Sequence, residues 1–306
     1  MSEAFFKGYW MMTNRCNLDC GYCVLEDAPH QLRRELDLNG KKALVSHLYR
    51  LGFRRLTLSG GEVLIMGKRP PAQFVDLLRH LRGYRSPELT KNLELEVYTN
   101  GTFLDDAVAD EMLGVVDLVA ITVDSHNDDS LTRIGRNHGR YRNYFERAVE
   151  VCARLTRRGI GVKLHSVVGT SNHHTLGDEV SAILDAIEEN GGRIDTWKFY
   201  QYMSYDAPER DGVHAIGSMD YGRAVERIAR ALQGRGVELH FKDNGEMNAS
   251  LFNILSYGNA QYMRPGDTWS TTRRTEDLRC YASMAELFAR TDIDEVMFRR
   301  FHQVRR

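Results

Sequence analysis

Cysteine is scarce in this chain, with five in 306 residues, and the few thiols are not spread as a disulfide framework would need. A stapled secreted scaffold is therefore excluded. No apolar run is long enough to span a bilayer. The first residues, Met1-Ser-Glu-Ala-Phe-Phe-Lys, lack the basic start and long apolar stretch of a targeting segment, so none is expected. Charge of one sign is not in excess: the formal net charge is −1, which argues against a generic nucleic-acid binder. There is no low-complexity linker, no Gly-x₄-Gly-Lys-Ser/Thr loop and no Rossmann fingerprint, so any nucleotide must be held by other means. The length suits one large domain, or one with a small appendage.

What is present is concentrated. Three of the five cysteines fall in one window, Cys16-Asn-Leu-Asp-Cys20-Gly-Tyr-Cys23. Three thiolates at these spacings on a loop can hold three corners of an iron–sulfur cube, leaving the fourth iron open for chemistry. A structural zinc site wants four ligands in paired sets, and the nearest histidine, His30, has no partner pattern. Cys152 sits in a helical run and reads as a buried apolar residue, and Cys280 is isolated, so an auxiliary cluster is not expected. His173-His174 reads as a surface pair without a third ligand.

Short β-type runs alternate with amphipathic stretches. Strands are expected over Tyr9–Thr13, Arg55–Ser59, Leu93–Thr99, Leu118–Asp124, Gly161–Val168 and Asp195–Gln201. Helices are expected near Gly40–Leu51, Pro71–Leu81, Asp105–Leu113, Arg142–Arg158, Leu176–Glu189 and Met219–Gln233, several ended by glycine. Six such repeats imply right-handed parallel crossovers, hence an α/β fold, a partial (β/α)₆ barrel over residues 1–236. Residues 237–306 read as a C-terminal extension, starting with a seventh strand candidate at Val237–Phe241, that closes the open side over the substrate site. Functional groups of such folds gather at the carboxyl ends of the strands. There lie the cysteine loop, Gly60-Gly61-Glu62, Thr99-Asn100-Gly101 and Asp124-Ser125.

Core strands should be apolar, because buried unpaired charge is expensive. Two strands break that rule. Lys163-Leu164-His165-Ser166 and Trp197-Lys198-Phe199-Tyr200 place Lys163 with His165, and Lys198 with Tyr200, on one face each. A polar lumen facing an anionic ligand follows. The basic loop Arg133-Ile-Gly135-Arg136-Asn137-His138-Gly139-Arg140 combines glycines with guanidinium forks that suit phosphate oxygens.

The cysteine motif, with Tyr22 before its last cysteine, and Leu58-Ser59-Gly60-Gly61-Glu62 after a β-like run resemble the two signatures of radical S-adenosylmethionine (SAM) enzymes. The resemblance implies a [4Fe–4S] cluster on Cys16, Cys20 and Cys23, with SAM chelating the open iron and yielding a 5′-deoxyadenosyl radical that takes hydrogen from an unactivated carbon. It implies SAM contacts from Tyr22, Gly60, Gly61, Glu62, Asn100, Asp124 and Ser125, with Glu62 accepting from the SAM amine. The stretch Val119–Ser125, then Ile134-Gly135-Arg136, Lys163–Val168 and Trp197–Gln201, is further similar to viperin-like enzymes. These dehydrate a nucleoside triphosphate at its ribose to a 3′-deoxy-3′,4′-didehydro product with antiviral action. That resemblance implies substrate contacts from Asn17, Arg55, Arg136, Lys163, His165 and Lys198, with Lys163, His165 and Lys198 at the reacting centre. His165 stands where that family has Asn, and Thr196 where it has Arg. A nucleotide sugar, nucleoside, sugar or peptide substrate stays open, as does a non-catalytic iron–sulfur protein. The family also implies a flavodoxin-type electron donor and a reducing cytoplasm, with no membrane or nucleic-acid partner.

Overall fold

The computed structural model describes residues 5–23, 35–85, 92–139 and 141–304. His30, Arg140 and the terminal Arg305-Arg306 lie outside them. The chain begins as a β/α alternation: β1 (Phe5–Thr13), α1 (Leu38–Arg50), β2 (Phe53–Gly60), α2 (Ala72–Leu81), β3 (Glu94–Thr99), α3 (Asp106–Met112) and β4 (Leu118–Thr122). It continues through α4 (Asp128–Ile134), α5 (Tyr144–Arg157), β5 (Gly161–Val168), α6 (Leu176–Glu189), β6 (Thr196–Gln201), α7 (Pro208–His214), α8 (Ser218–Ala231) and β7 (Glu238–Lys242). The last part holds α9 (Asn244–Ala249), β8 (Phe252–Ile254), β9 (Asn259–Tyr262), β10 (Arg273–Asp277), α10 (Met284–Arg290), α11 (Glu295–His302) and β11 (Gln303–Val304).

One open sheet runs β10-β9-β8-β1-β2-β3-β4-β5-β6-β7, with β11 added to β1. From β1 to β7 each strand is parallel to the next, one strand more than the six expected for the core, because β7 pairs with β6 from Thr196↔Glu238 to Tyr200↔Lys242. Among the described residues β7 has no partner on its far side, so this is a partial barrel. No described helix is long and apolar enough to cross a membrane.

The strand alternation has two contrasting faces. The outer face is apolar: Trp10, Leu56, Leu58, Leu95, Val97, Val119, Ile121, Val162, Leu164, Trp197 and Phe199 are buried beneath the helices. The helices cover them because their own apolar stripes repeat at helical spacing, as in α5, whose Ala148, Val149, Val151, Cys152 and Leu155 are buried. Cys152 is thus a core residue, while Cys280 is exposed. Helix starts are set by side-chain caps: Asp37 accepts from Gly40 N at 2.7 Å, and Asp105 from Val108 N at 2.9 Å.

Three local readings change. β1 begins at Phe5, not Tyr9, because Phe5 and Phe6 pair with Val304 and Gln303, and Phe6 packs on Phe53 and Phe298. These contacts come from the far end of the chain. β4 stops at Thr122, and Val123 N bonds His165 O, so Asp124 lies just past the strand. The loop after β4 contains α4, capped by Asn127 and ended by Gly135 in the left-handed region at φ 89°.

Trp197 is fully buried, stacks on Phe199 at 5.1 Å and donates its indole N–H to Ser166 Oγ at 3.0 Å. Trp197→Ala should cost about 3–5 kcal/mol by chemical denaturation, the range for deleting a buried aromatic. A loss below about 1 kcal/mol would mean that this packing is not what fixes β6.

Candidate functional site

The cysteine loop leaves the carboxyl end of β1 and is held first by backbone hydrogen bonds. Gly61 N donates to Thr13 O at 2.8 Å, and Glu62 N to Arg15 O at 2.7 Å. The approach is so close that a Cβ on Gly61 would lie 2.1 Å from Arg15 O, and one on Gly60 2.3 Å from Thr13 O. A second clamp comes from the end of α4. Gly21 N donates to Ile134 O at 3.0 Å and Asp19 N to Gly135 O at 3.3 Å, and a Cβ on Gly135 would sit 1.8 Å from Asp19 O. The two motif glycines were expected to admit a ligand; here they admit the cysteine loop.

Within the loop, Cys23 N turns back to Cys20 O at 2.9 Å, and Cys16 Sγ accepts from Leu18 N at 3.5 Å. Cys16 is exposed, and Cys20 and Cys23 are half-buried. Desolvation pushes the Cys20 thiol up to about 12, opposed by the nearby Arg136 and reinforced by the other two cysteines. Burial raises Cys16 as well, so these two thiols keep their protons until a metal displaces them, and three cysteines on one loop fit a cluster with three protein ligands. Among the described residues no three Cys, His, Asp or Glu side chains converge on a single-ion site.

Buried polar side chains fix the surroundings. Glu62 is fully buried and accepts from Leu64 N at 3.0 Å, Thr99 Oγ1 at 2.7 Å and Asn100 N at 2.6 Å. Burial raises its carboxyl and these donors oppose the rise. It ties the end of β2 to the end of β3. Asn100 Nδ2 bonds Asn17 Oδ1 at 3.0 Å and lies 3.9 Å from Cys16 Sγ, and Asn17 Nδ2 reaches Thr102 Oγ1 at 3.0 Å. Asn17 therefore lines the cysteine end of the site.

Arg136 was expected at a substrate phosphate. Instead it is 7% exposed, with Nε 3.0 Å from Asp124 Oδ2 and Nη2 2.5 Å from Tyr22 OH. Tyr22 also donates to Asp124 Oδ2 at 2.5 Å, and Asp124 Oδ1 accepts from Val167 N at 2.8 Å. Tyr22, Asp124 and Arg136 thus form one buried knot behind Cys20 and Cys23. Ser125 is also turned away, donating to Glu179 on α6. Arg55 lies near the amino end of β2, away from the cysteine loop, with Nε 2.6 Å from Glu94 Oε2.

The inner sheet face is the second half of the site. Registers place Lys163 beside Ala120 and Thr196, and His165 beside Thr122 and Lys198. Lys163 Nζ is 3.3 Å from Glu96 Oε2 and lies over the Tyr98 ring at 5.3 Å. His165 is buried between Tyr98 and Tyr200, with ring centroids 4.5 and 5.2 Å away, and its Nε2 has no hydrogen-bond partner. Burial and the two flanking lysines hold it well below the ordinary imidazole range, so it is neutral. Lys198 lies over the Tyr200 ring at 5.6 Å. Desolvation, then Lys163 and Lys242, bring it down to about 7, only partly offset by Glu96. Glu96 and Tyr98 were not anticipated as site residues, although Glu94-Leu-Glu96-Val-Tyr98 shows the same polar alternation that drew attention to β5 and β6.

The radical SAM superfamily model matches residues 10–186. GTP 3′,8-cyclase of Chlorobaculum tepidum is 30% identical over 234 residues, covering 74% of this chain and 61% of that protein. PqqA peptide cyclase of Ruegeria pomeroyi is 31% identical over 185 residues, 60% of this chain and 44% of that protein. The chain thus spans less than two thirds of the length of these curated relatives. Among solved structures, anSMEcpe with bound AdoMet aligns at a TM-score of 0.63 and 14% identity over 96% of this chain and 82% of that one. Streptococcus suis SuiB bound to S-adenosylmethionine aligns at 0.62 and 13% over 84% and 60%. These two establish the fold.

Two outcomes follow. Gly61→Val should lower iron bound after anaerobic reconstitution several-fold while far-ultraviolet circular dichroism stays native; full iron loading would refute the clamp. Lys198→Met should raise thermal stability at pH 6–7. A depressed lysine pKa means the unfolded chain binds more protons, so the cost is fully present below about 7 and fades as pH approaches the ordinary 10.5. Melting curves at pH 6.5 and 10 check this, and an equal or lower midpoint for the variant at pH 6.5 would contradict it.

Proposed function

This chain belongs to the radical SAM superfamily, and on that premise we propose that it removes a hydrogen atom from the ribose of a phosphorylated nucleotide held in the barrel lumen. The family uses a [4Fe–4S] cluster and SAM; when bound, they supply the one-electron chemistry that activates an unreactive C–H bond. Cys16, Cys20 and Cys23 are the residues to hold the cluster, and Asn17 and Asn100 border it. The observation that carries the substrate reading is Lys198, a lysine on the inner sheet face with no carboxylate partner among the described residues, next to Lys163 and the orphaned Nε2 of neutral His165. Such an arrangement costs stability in the empty protein and is relieved by an anion.

In this reading Lys163 and Lys198 neutralise phosphoryl oxygens. His165 Nε2 accepts from, or donates to, a sugar hydroxyl according to its tautomer. Tyr98 and Tyr200 wall the imidazole and keep water from it. The finer assignment is a viperin-like dehydration of a nucleoside triphosphate to a 3′-deoxy-3′,4′-didehydro nucleotide, with Lys198 or His165 placed to handle the proton of the departing hydroxyl. None of the relatives named above is a viperin-like enzyme, so this rests on the residues between Val119 and Gln201. A second reading, nucleotide ring closure, is favoured by the 30% identity to a GTP 3′,8-cyclase. Both put a nucleoside triphosphate in the lumen.

The test is anaerobic turnover with dithionite, SAM and each of CTP, UTP, GTP, ATP and UDP-glucose, read as 5′-deoxyadenosine by mass spectrometry. One triphosphate should stimulate formation, and Lys163→Ala or Lys198→Ala should abolish that stimulation but keep the uncoupled background. A product lighter by one water supports dehydration, and one of the substrate's own mass supports ring closure. Background formation indifferent to every nucleotide would overturn the nucleotide reading.

A further inference from the structure

The inner face of the sheet carries a row of rings. Tyr9 on β1 lies 5.7 Å from Tyr98 on β3, Tyr98 lies 4.5 Å from His165 on β5, and His165 lies 5.2 Å from Tyr200 on β6. Registers extend the row at both ends. Tyr200 stands beside Lys242, the last residue of β7, and Tyr9 stands beside Asn253 on β8. Only Asp243 to Leu251 join those two ends, and α9 occupies most of that stretch. Its 6 helical residues and the few extended ones around them reach roughly 25 Å at most. Seven strand spacings separate β8 from β7 in the sheet, roughly 34 Å if it lay flat. The sheet must therefore curl, and α9 is the strap that crosses from β7 to β8 and completes the circle.

One face of this strap is covered, and that face is polar. Gly245, Glu246 and Ala249 are exposed, whereas Asn244, Met247 and Asn248 are half-buried on the other side of the helix. Asn244 and Asn248 are one turn apart, and the side-chain oxygen of each is buried without a hydrogen-bond partner. Asn253, the next asparagine, shares the inner sheet face with Tyr9. Leaving a buried acceptor unpaired is costly, so two on one turn need a donor that the described residues do not supply. His165 Nε2, in the ring row, is a third such atom.

We propose that α9 is the wall that reads the substrate's base, with Asn244 and Asn248 accepting from an exocyclic amino group and Asn253 following on the inner face of β8. This rests on the nucleotide reading and adds to it the class of base. Two orphaned acceptors need two hydrogens, which the amino group of cytosine, adenine or guanine carries and uracil lacks. Met247, between the two asparagines, offers a flat ring an adaptable apolar contact. Lys163, His165 and Lys198 lie on β5 and β6, so phosphate and sugar take that side and the base takes the strap.

The test needs no turnover. Titrate CTP, ATP, GTP, UTP and ribose 5-triphosphate, which lacks a base, calorimetrically into the anaerobic, cluster-loaded protein. One amino-bearing nucleotide should bind at least about tenfold more tightly than both UTP and ribose 5-triphosphate. Asn244→Leu and Asn248→Leu should each weaken that nucleotide about tenfold and leave ribose 5-triphosphate unchanged. Their melting midpoints should hold or rise, because each removes an unpaired buried acceptor. Lys198→Met, which removes a phosphate contact, should weaken nucleotide and ribose 5-triphosphate alike. UTP bound as tightly as the best nucleotide, wild-type binding in both asparagine variants, or an equal loss of ribose 5-triphosphate in them would overturn the base wall. So would a lowered melting midpoint in both, which would give the asparagines to the fold. If any of these comes with a nucleotide that stimulates 5′-deoxyadenosine, the wall alone falls. If no nucleotide binds, the nucleotide reading falls and the wall with it.

Discussion

Close backbone contact on the cysteine loop is the constraint on which the rest depends. Gly60, Gly61 and Gly135 stand where any Cβ would collide with the carbonyls of Thr13, Arg15 and Asp19. Removing the side chain lets two separate strand-to-helix connections grip one short loop, each by two peptide hydrogen bonds. Peptide bonds fix position more firmly than long side chains could, because little rotamer entropy is lost in making them. The loop so held carries all three thiols, Cys16, Cys20 and Cys23. Behind them, the Arg136–Asp124–Tyr22 knot supplies a buried positive charge beside Cys20. Breaking a buried pair by removing one partner is costly, so this knot resists loosening even though its formation adds little net stability.

Below the loop the balance shifts from stability to binding. The outer sheet face follows ordinary core chemistry, with large apolar side chains packed under helices. The inner face does not. A closed barrel of this type fills its interior with branched apolar side chains. Here the interior carries lysines, a neutral histidine and tyrosines. An empty lumen of this composition is destabilising, as the depressed Lys198 and His165 express. Such cost is tolerated where a ligand repays it.

Much of this was legible in the sequence, for physical reasons that differ by residue. The cysteine window and Gly60-Gly61-Glu62 are local patterns whose chemistry depends on spacing alone. β5 was read to its exact ends because Gly161 starts it and its alternation is complete. Lys163, His165 and Lys198 stood out because they interrupt apolar strands. Arg136 was misplaced because an arginine in a glycine-rich loop can turn outward or inward. What turns it inward is Asp124, twelve residues away, and Tyr22, 114 residues away. Glu62 and Ser125 were read as cofactor contacts from local motifs, and the bonds they make here, to Thr99, Asn100 and Glu179, join residues distant in sequence.

The most direct test of the account is electron paramagnetic resonance of the reconstituted, dithionite-reduced protein with and without SAM. The account predicts about four irons per chain and a reduced-cluster signal. That signal should change on adding SAM, because one iron is left open to it. A signal indifferent to SAM, or iron bound without any cluster signal, would contradict it.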